Sequence, residues 1–85
     1  MSKDIEQRVI RVIAKNKKMA PEKLSPATRF DNLKMDSLDA LNMTYALEEE
    51  FDIDIPNEEA AKMKSVGEAI HGVEESLKAK SSLSN

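Results

Sequence analysis

The sequence predicts an all-α domain of three longer helices and one short helix, with a long first connection. Three observations carry that class. Apolar residues recur at helical spacing in three separate stretches. Residues suited to starting helices stand near the head of each stretch. No alternation of period two extends far enough for a strand, and Ile53–Ile55, its one hint, is too short to build a sheet.

The first helix is expected from about Ser2–Lys3 to Asn16. Ile5, Val9, Val12 and Ile13 share a face, with Ile10 at its edge. Asp4 suits the N-cap and Gln7 follows three residues later, as in a capping box. Lys15, Lys17 and Lys18 suit the negative end of the helix dipole. From Met19 to Leu33 no long helix is possible, because Pro21 and Pro26 interrupt. A short helical turn fits near Pro21–Leu24, and Ser25-Pro26 reads as a turn. Leu24, Phe30 and Leu33 are spaced anchors for this loop, and an anchored loop of such length points to function.

The second helix, expected to run to about Phe51, starts at Asp36-Ser37-Leu38-Asp39. Asp36 is a strong N-cap type, and Asp39 places a carboxylate in the first turn. Ser37 is then the first helical residue. Its hydroxyl is expected to be exposed beside N–H groups that lack intrahelical partners, where a phosphate would be favoured. This helix carries two apolar stripes. Ala40, Met43, Leu47 and Phe51 cluster within roughly 80° at 100° per residue, and Leu38, Leu41 and Tyr45 lie on the opposite side. One stripe suffices for a core. A second, flanked by Asp39, Glu48, Glu49 and Glu50, suggests a surface that meets a partner.

After Ile53 and Ile55, Pro56 fits the first turn of a short helix reaching about Met63, with Glu58 and Glu59 leading. Ser65-Val66-Gly67-Glu68 reads as a capping box for the last helix. That helix carries Val66, Ala69, Ile70, Val73 and Leu77 on one face. Lys78 to Asn85 is polar and expected to fray, so the domain spans 1–85 with a frayed tail from about residue 79. The expected core is Ile5, Val9, Val12, Ile13, Leu24, Phe30, Leu33, Met43, Leu47, Phe51, Ile55, Met63, Val66, Ile70, Val73 and Leu77.

Composition excludes several classes. The chain has 85 residues and no cysteine, so thiolate metal sites, disulfides and cysteine nucleophiles are absent. No apolar run approaches the roughly 20 residues of a membrane span, and the N-terminus lacks a signal-peptide core. A monomer in the cytoplasm is expected. Residues 1–30 carry a net +5 and residues 31–85 a net −8. The acidic part argues against nucleic acid and for partners with basic docking surfaces. The basic first third reads as a solvated face. His71 is the sole histidine, and no Gly-x-Ser-x-Gly elbow surrounds Ser37, so no activating base is evident for an enzyme. Asp31, Asp52 and Asp54 do not form an EF-hand loop and read as loop and capping carboxylates, with no metal site expected.

Three segments together are more specific than any alone: Asp36-Ser37-Leu38, Ala46-Leu47-Glu48-Glu49-Glu50-Phe51, and Ile55-Pro56-Asn57-Glu58-Glu59-Ala60. Together they resemble the acyl carrier protein family, and the likeness extends over nearly the whole chain. The resemblance implies a four-helix bundle with no catalysis of its own. It implies that Ser37 takes a 4′-phosphopantetheine from coenzyme A through a separate magnesium-dependent phosphopantetheinyl transferase, and that the arm's thiol carries acyl groups as thioesters in fatty-acid or related lipid or polyketide synthesis. Asp36 would cap the helix and help recognition by the transferase. Leu38, Asp39, Leu41, Tyr45, Glu48 and Glu49 would contact the transferase and acyl-loading, elongating or transferring enzymes. The chain departs from the family pattern at Lys34, where Gly is common, at Asn42, where an acid is common, and at Thr44-Tyr45. These departures suggest a carrier specialised for one pathway. The alternative is an unmodified helical adaptor that binds a basic partner through the acidic second-helix face.

Overall fold

In a computed structural model, residues 2–83 are described. Among the described residues there are four α-helices: α1 (Ser2–Lys17), α2 (Ser37–Phe51), α3 (Asn57–Ala61) and α4 (Val66–Leu83). No strand occurs among the described residues. α1 packs against both α2 and α4, and α3 rests on α4. The chain is therefore the all-α helical bundle of acyl-carrier type that the sequence predicts.

The core follows the predicted faces, with adjustments. Val9, Ile13, Met43, Leu47, Val66 and Val73 are the largest fully buried side chains. Ile5, Val12, Leu33 and Leu77, expected inside, are only partly buried and pack on the rim. Ala14, Ile53 and Ala69 join the core instead. Ile53 turns inward with Ile55 while Asp54 stays out. That alternation is local and needs no sheet.

Several expected boundaries move. α1 is already helical at Ser2, so Asp4 lies within its first turn and does not cap it. Pro56 is the extended N-cap of α3 rather than a residue of its first turn, and α3 ends at Ala61, short of Met63. α4 continues to Leu83. Lys80 Nζ donates to the Asp52 carbonyl at 2.6 Å and to Asp52 Oδ2 at 2.9 Å, tying this end of α4 to the end of α2. Ser84 and Asn85, the rest of the expected tail, lie outside the described residues.

The long connection is more structured than its sequence suggests. It forms short 3-10 turns at Pro21–Lys23, as foreseen, and at Phe30–Leu33. Between them the loop pairs with the start of α4. Phe30 N–H donates to the Lys64 carbonyl at 3.0 Å, Val66 N–H to Thr28 at 2.9 Å and Gly67 N–H to Pro26 at 2.9 Å. Ser65 Oγ accepts the Glu68 N–H at 3.2 Å, as a capping box requires, but the Glu68 carboxylate accepts from Lys64 N–H rather than Ser65. The first donors of α4 are thus occupied by loop and cap.

Among the described residues, three ends close on left-handed residues, and none is glycine: Lys18, Lys34 and Asp52, each with φ 54°. At the end of α1, Met19 N–H reaches the Ala14 carbonyl and Lys18 N–H reaches Lys15, the Schellman pattern.

Candidate functional site

The site is the start of α2. Asp36 is extended, and its Oδ1 accepts the Asp39 N–H at 2.8 Å. The Asp36 carbonyl accepts the Ala40 N–H at 2.9 Å. Asp36 is the expected N-cap, and Ser37 is the first helical residue and exposed. Among the described residues, the Ser37 hydroxyl and the backbone N–H groups of Ser37 and Leu38 have no hydrogen-bond partner. α2 therefore presents open donors and a free hydroxyl at the positive end of its dipole, whereas the start of α4 is filled. Such a start fits a phosphodiester on the serine: the donors are unoccupied and the hydroxyl is accessible.

Lys34 shapes the approach to this start. It closes the Phe30–Leu33 turn in the left-handed region, with φ 54° and ψ 43°. The turn leads through half-buried Met35 into the cap. The side chain of Lys34 is exposed and adds a positive charge three residues before Ser37.

The second apolar stripe is solvent-facing. Leu38 is 64 % exposed, Leu41 42 % and Tyr45 56 %, and these are the open large apolar side chains among those whose burial is described. The long loop does not cover them. On the core side of the same helix, Thr44 is buried and its hydroxyl donates to the Ala40 carbonyl at 2.8 Å.

The acids of α2 divide by their partners. Glu49 is exposed and has no hydrogen bond or ion pair among the described residues. Glu48 is half-buried, and its Oε2 accepts the Ile55 N–H at 2.8 Å, holding the turn after α2. Glu50 accepts from Arg8 Nε at 2.9 Å, while the Arg8 guanidinium lies 4.5 Å from the centre of the Phe51 ring. Asp39 accepts from Lys17 Nζ at 2.9 Å. The Lys17 hydrogen bond holds the Asp39 carboxyl below its ordinary value of 3.8; partial burial opposes this, and the Lys17 charge and a backbone contact with Asp36 reinforce it. Lys17, Arg8 and the Ile55 N–H were not legible as members of the site. Their signal is long-range, and a lysine at a helix end reads as a dipole partner whichever acid it reaches.

His71 is exposed on α4, and no hydrogen bond joins it to Ser37 among the described residues. Nor do the described residues include a cluster of three or more His, Cys, Asp or Glu able to hold a metal. No helix among them is long and apolar enough to cross a membrane.

Fold and site together define a class: a small helical domain that presents a serine hydroxyl at an open helix start instead of enclosing it beside a base. Residues 7–73 match the family model described as a phosphopantetheine attachment site. The chain is 44 % identical over 68 residues to a mitochondrial acyl carrier protein of Dictyostelium discoideum, covering 80 % of this chain and 57 % of that protein. It is 40 % identical over 79 residues to a putative mitochondrial acyl carrier protein of Schizosaccharomyces pombe, covering 91 % and 70 %. It is 41 % identical over 73 residues to an acyl carrier protein of Rickettsia bellii, covering 85 % of each. The chain belongs to the acyl carrier protein family, whose prosthetic group is 4′-phosphopantetheine. It spans just over half the length of the Dictyostelium relative.

Proposed function

We propose that the chain is an acyl carrier in fatty-acid or related lipid or polyketide synthesis, with Ser37 as the attachment residue. The observation that supports this best is the exposed Ser37 hydroxyl beside two unoccupied backbone donors, within a family defined by phosphopantetheine attachment. When bound, the group supplies a thiol on which acyl chains are held as thioesters. The chain's own residues do the rest. The Ser37 and Leu38 N–H groups favour the phosphodiester charge. Asp36 holds the helix start in register. Among the described residues no side chain is hydrogen-bonded to the Ser37 hydroxyl, and the transferase supplies the base. Members of the family are carriers rather than catalysts, and this chain is a substrate of other enzymes.

Leu38, Leu41 and Tyr45 form the contact face of the partner site, with Glu49 as its free acid. The occupant is a phosphopantetheinyl transferase or an acyl-processing enzyme with a basic surface, which the negative charge of residues 31–85 favours. A cleft of about 680 Å³ opens between the α2–α3 connection and α4, lined in part by Ile53, Pro56, Gly72 and Ala79. With methionines at 43 and 63 in the core, the bundle is suited to adapt around an acyl chain. Lys34, Asn42 and Tyr45 favour a carrier dedicated to one pathway, and normal charging and elongation by a general fatty-acid synthase would refute that. The compartment we propose is the cytoplasm. Fractionation that finds the chain in mitochondria, as the names of two relatives have it for those proteins, would overturn this.

The test is intact-protein mass spectrometry before and after incubation with coenzyme A, magnesium and a broad-specificity transferase. The expected result is a mass gain of one phosphopantetheine, absent in Ser37→Ala. A folded, initially unmodified chain that gains nothing, and whose partner binding survives Ser37→Ala, is the adaptor instead.

A further inference from the structure

We propose that Lys17 is a specificity residue of the carrier face, holding Asp39 in an internal ion pair and so competing with basic groups of an incoming transferase for the acid nearest Ser37 on α2. This rests on the reading of Ser37 as the attachment residue. It adds a determinant that lies outside the attachment motif, on another helix.

Of the four acids on α2, three are internally engaged, but not equivalently. Glu48 is bonded to a backbone N–H, and Glu50 is held by an arginine that also donates to the Glu50 carbonyl at 3.0 Å and stacks on Phe51. Both are parts of the fold. The Asp39 contact is a single bond from a flexible lysine, which can swing away without moving backbone. It is also close to the chemistry, because Asp39 lies in the same helical turn as Ser37. The pair is only partly wet, with side-chain exposures of 20 % for Lys17 and 37 % for Asp39, so salt screens it less than an open pair. Lys17 is the last residue of α1, and the left-handed turn at Lys18 begins directly after it.

A cation at 2.9 Å from a carboxylate cancels most of its field a few ångströms away. The helix face beside Ser37 therefore attracts cations less than its count of acids implies. The free attraction moves to Glu49, about 18 Å along the helix from Ser37 at 1.5 Å per residue. The face selects a partner whose cation meets Glu49 while its apolar groups meet Leu38, Leu41 and Tyr45. It disfavours one whose cation must reach Asp39.

The experiment is steady-state transfer of phosphopantetheine from coenzyme A to the intact chain by a broad-specificity transferase. Wild type is compared with Lys17→Gln, Lys17→Arg, Asp39→Asn, Glu49→Gln and the Lys17→Gln/Asp39→Asn double variant, each checked for folding by circular dichroism. Lys17→Gln is expected to lower KM for the carrier roughly two- to fivefold with kcat unchanged, an effect that shrinks with added salt. Lys17→Arg keeps the wild-type KM. In the Asp39→Asn background the effect of Lys17→Gln shrinks, because no carboxylate is left to unmask. Independently of how Lys17→Gln folds, Glu49→Gln raises KM more than Asp39→Asn does. An unchanged or raised KM in folded Lys17→Gln, or an Asp39→Asn effect larger than that of Glu49→Gln, overturns the proposal. Should wild type take no phosphopantetheine, or Ser37→Ala take it, the reading of Ser37 falls and this proposal with it.

Discussion

Single residues set the start of α2, and two of them make testable claims. Lys34 adopts a left-handed conformation that an L side chain resists by about 1–2 kcal/mol. Glycine there relieves that cost but loses some in unfolded-chain entropy, so Lys34→Gly is expected to stabilise the chain by roughly 0.5–1 kcal/mol, read by urea denaturation. A destabilised Lys34→Gly would show that the lysine side chain makes a compensating contact. Asp39 titrates below its ordinary value because Lys17 holds it. A carboxyl lowered by folding stabilises the native state above its unfolded value and loses that contribution as pH falls through the folded value. Wild type should therefore exceed Asp39→Asn in stability at neutral pH, with the difference shrinking once the pH drops below 3.8. A gap that persists unchanged to pH 2 or so would mean the Asp39 charge is not its source.

Elements depend on how the long loop meets α4. Gly67 lies in the first turn of α4, where a Cβ would stand 2.9 Å from the Pro26 carbonyl oxygen. That atom is backbone, and Gly67 N–H is bonded to it. Gly72, in the middle of the same helix, would place a Cβ against Met63 Cε, the movable end of a flexible side chain. Alanine favours a helix over glycine at either position. The two should still diverge: Gly67→Ala destabilises by about 1 kcal/mol through the displaced loop, and Gly72→Ala is neutral or stabilising as Met63 swings aside. Thermal melts of the pair decide it, and equal shifts would show that the loop is not pinned as described. The same contacts explain why the loop was hard to read. Its anchors Leu24 and Phe30 were visible as apolar residues, but its pairing with residues 64–67 is a contact between distant segments.

Across the whole molecule the two oppositely charged parts meet. Arg8 and Lys17 of α1 pair with Glu50 and Asp39 of α2, so part of the charge separation seen along the chain is closed on folding. These pairs are partly exposed and orient helices more than they stabilise them. Stability rests on a small core. Leu47 is fully buried on the inner stripe of α2. Leu47→Ala is expected to cost about 3 kcal/mol, a large fraction of the roughly 5–15 kcal/mol available to a domain. Chemical denaturation should show the loss, and a cost below about 1 kcal/mol would mean that the core repacks around the gap.

What the sequence by itself determined is local. Helical periodicity set the three longer helices, Pro56 with Glu58 and Glu59 marked the short one, the Asp36 cap set the register that puts Ser37 first, and the doubled stripe of α2 announced an exposed apolar face. Each follows from a few neighbouring residues and the geometry of one helix. The family segments were legible for the same reason, since each is a short run. What only the tertiary structure decided is which groups from distant segments meet. It placed Lys17 on Asp39, Arg8 on Glu50 and Lys80 on Asp52, left Glu49 free, and put Ile53 rather than Val12 in the core. It also closed three turns on left-handed Lys18, Lys34 and Asp52, where a glycine would have signalled them in the sequence. A periodic pattern shows which side of a helix is buried, but it does not say what lies on the other side of the contact.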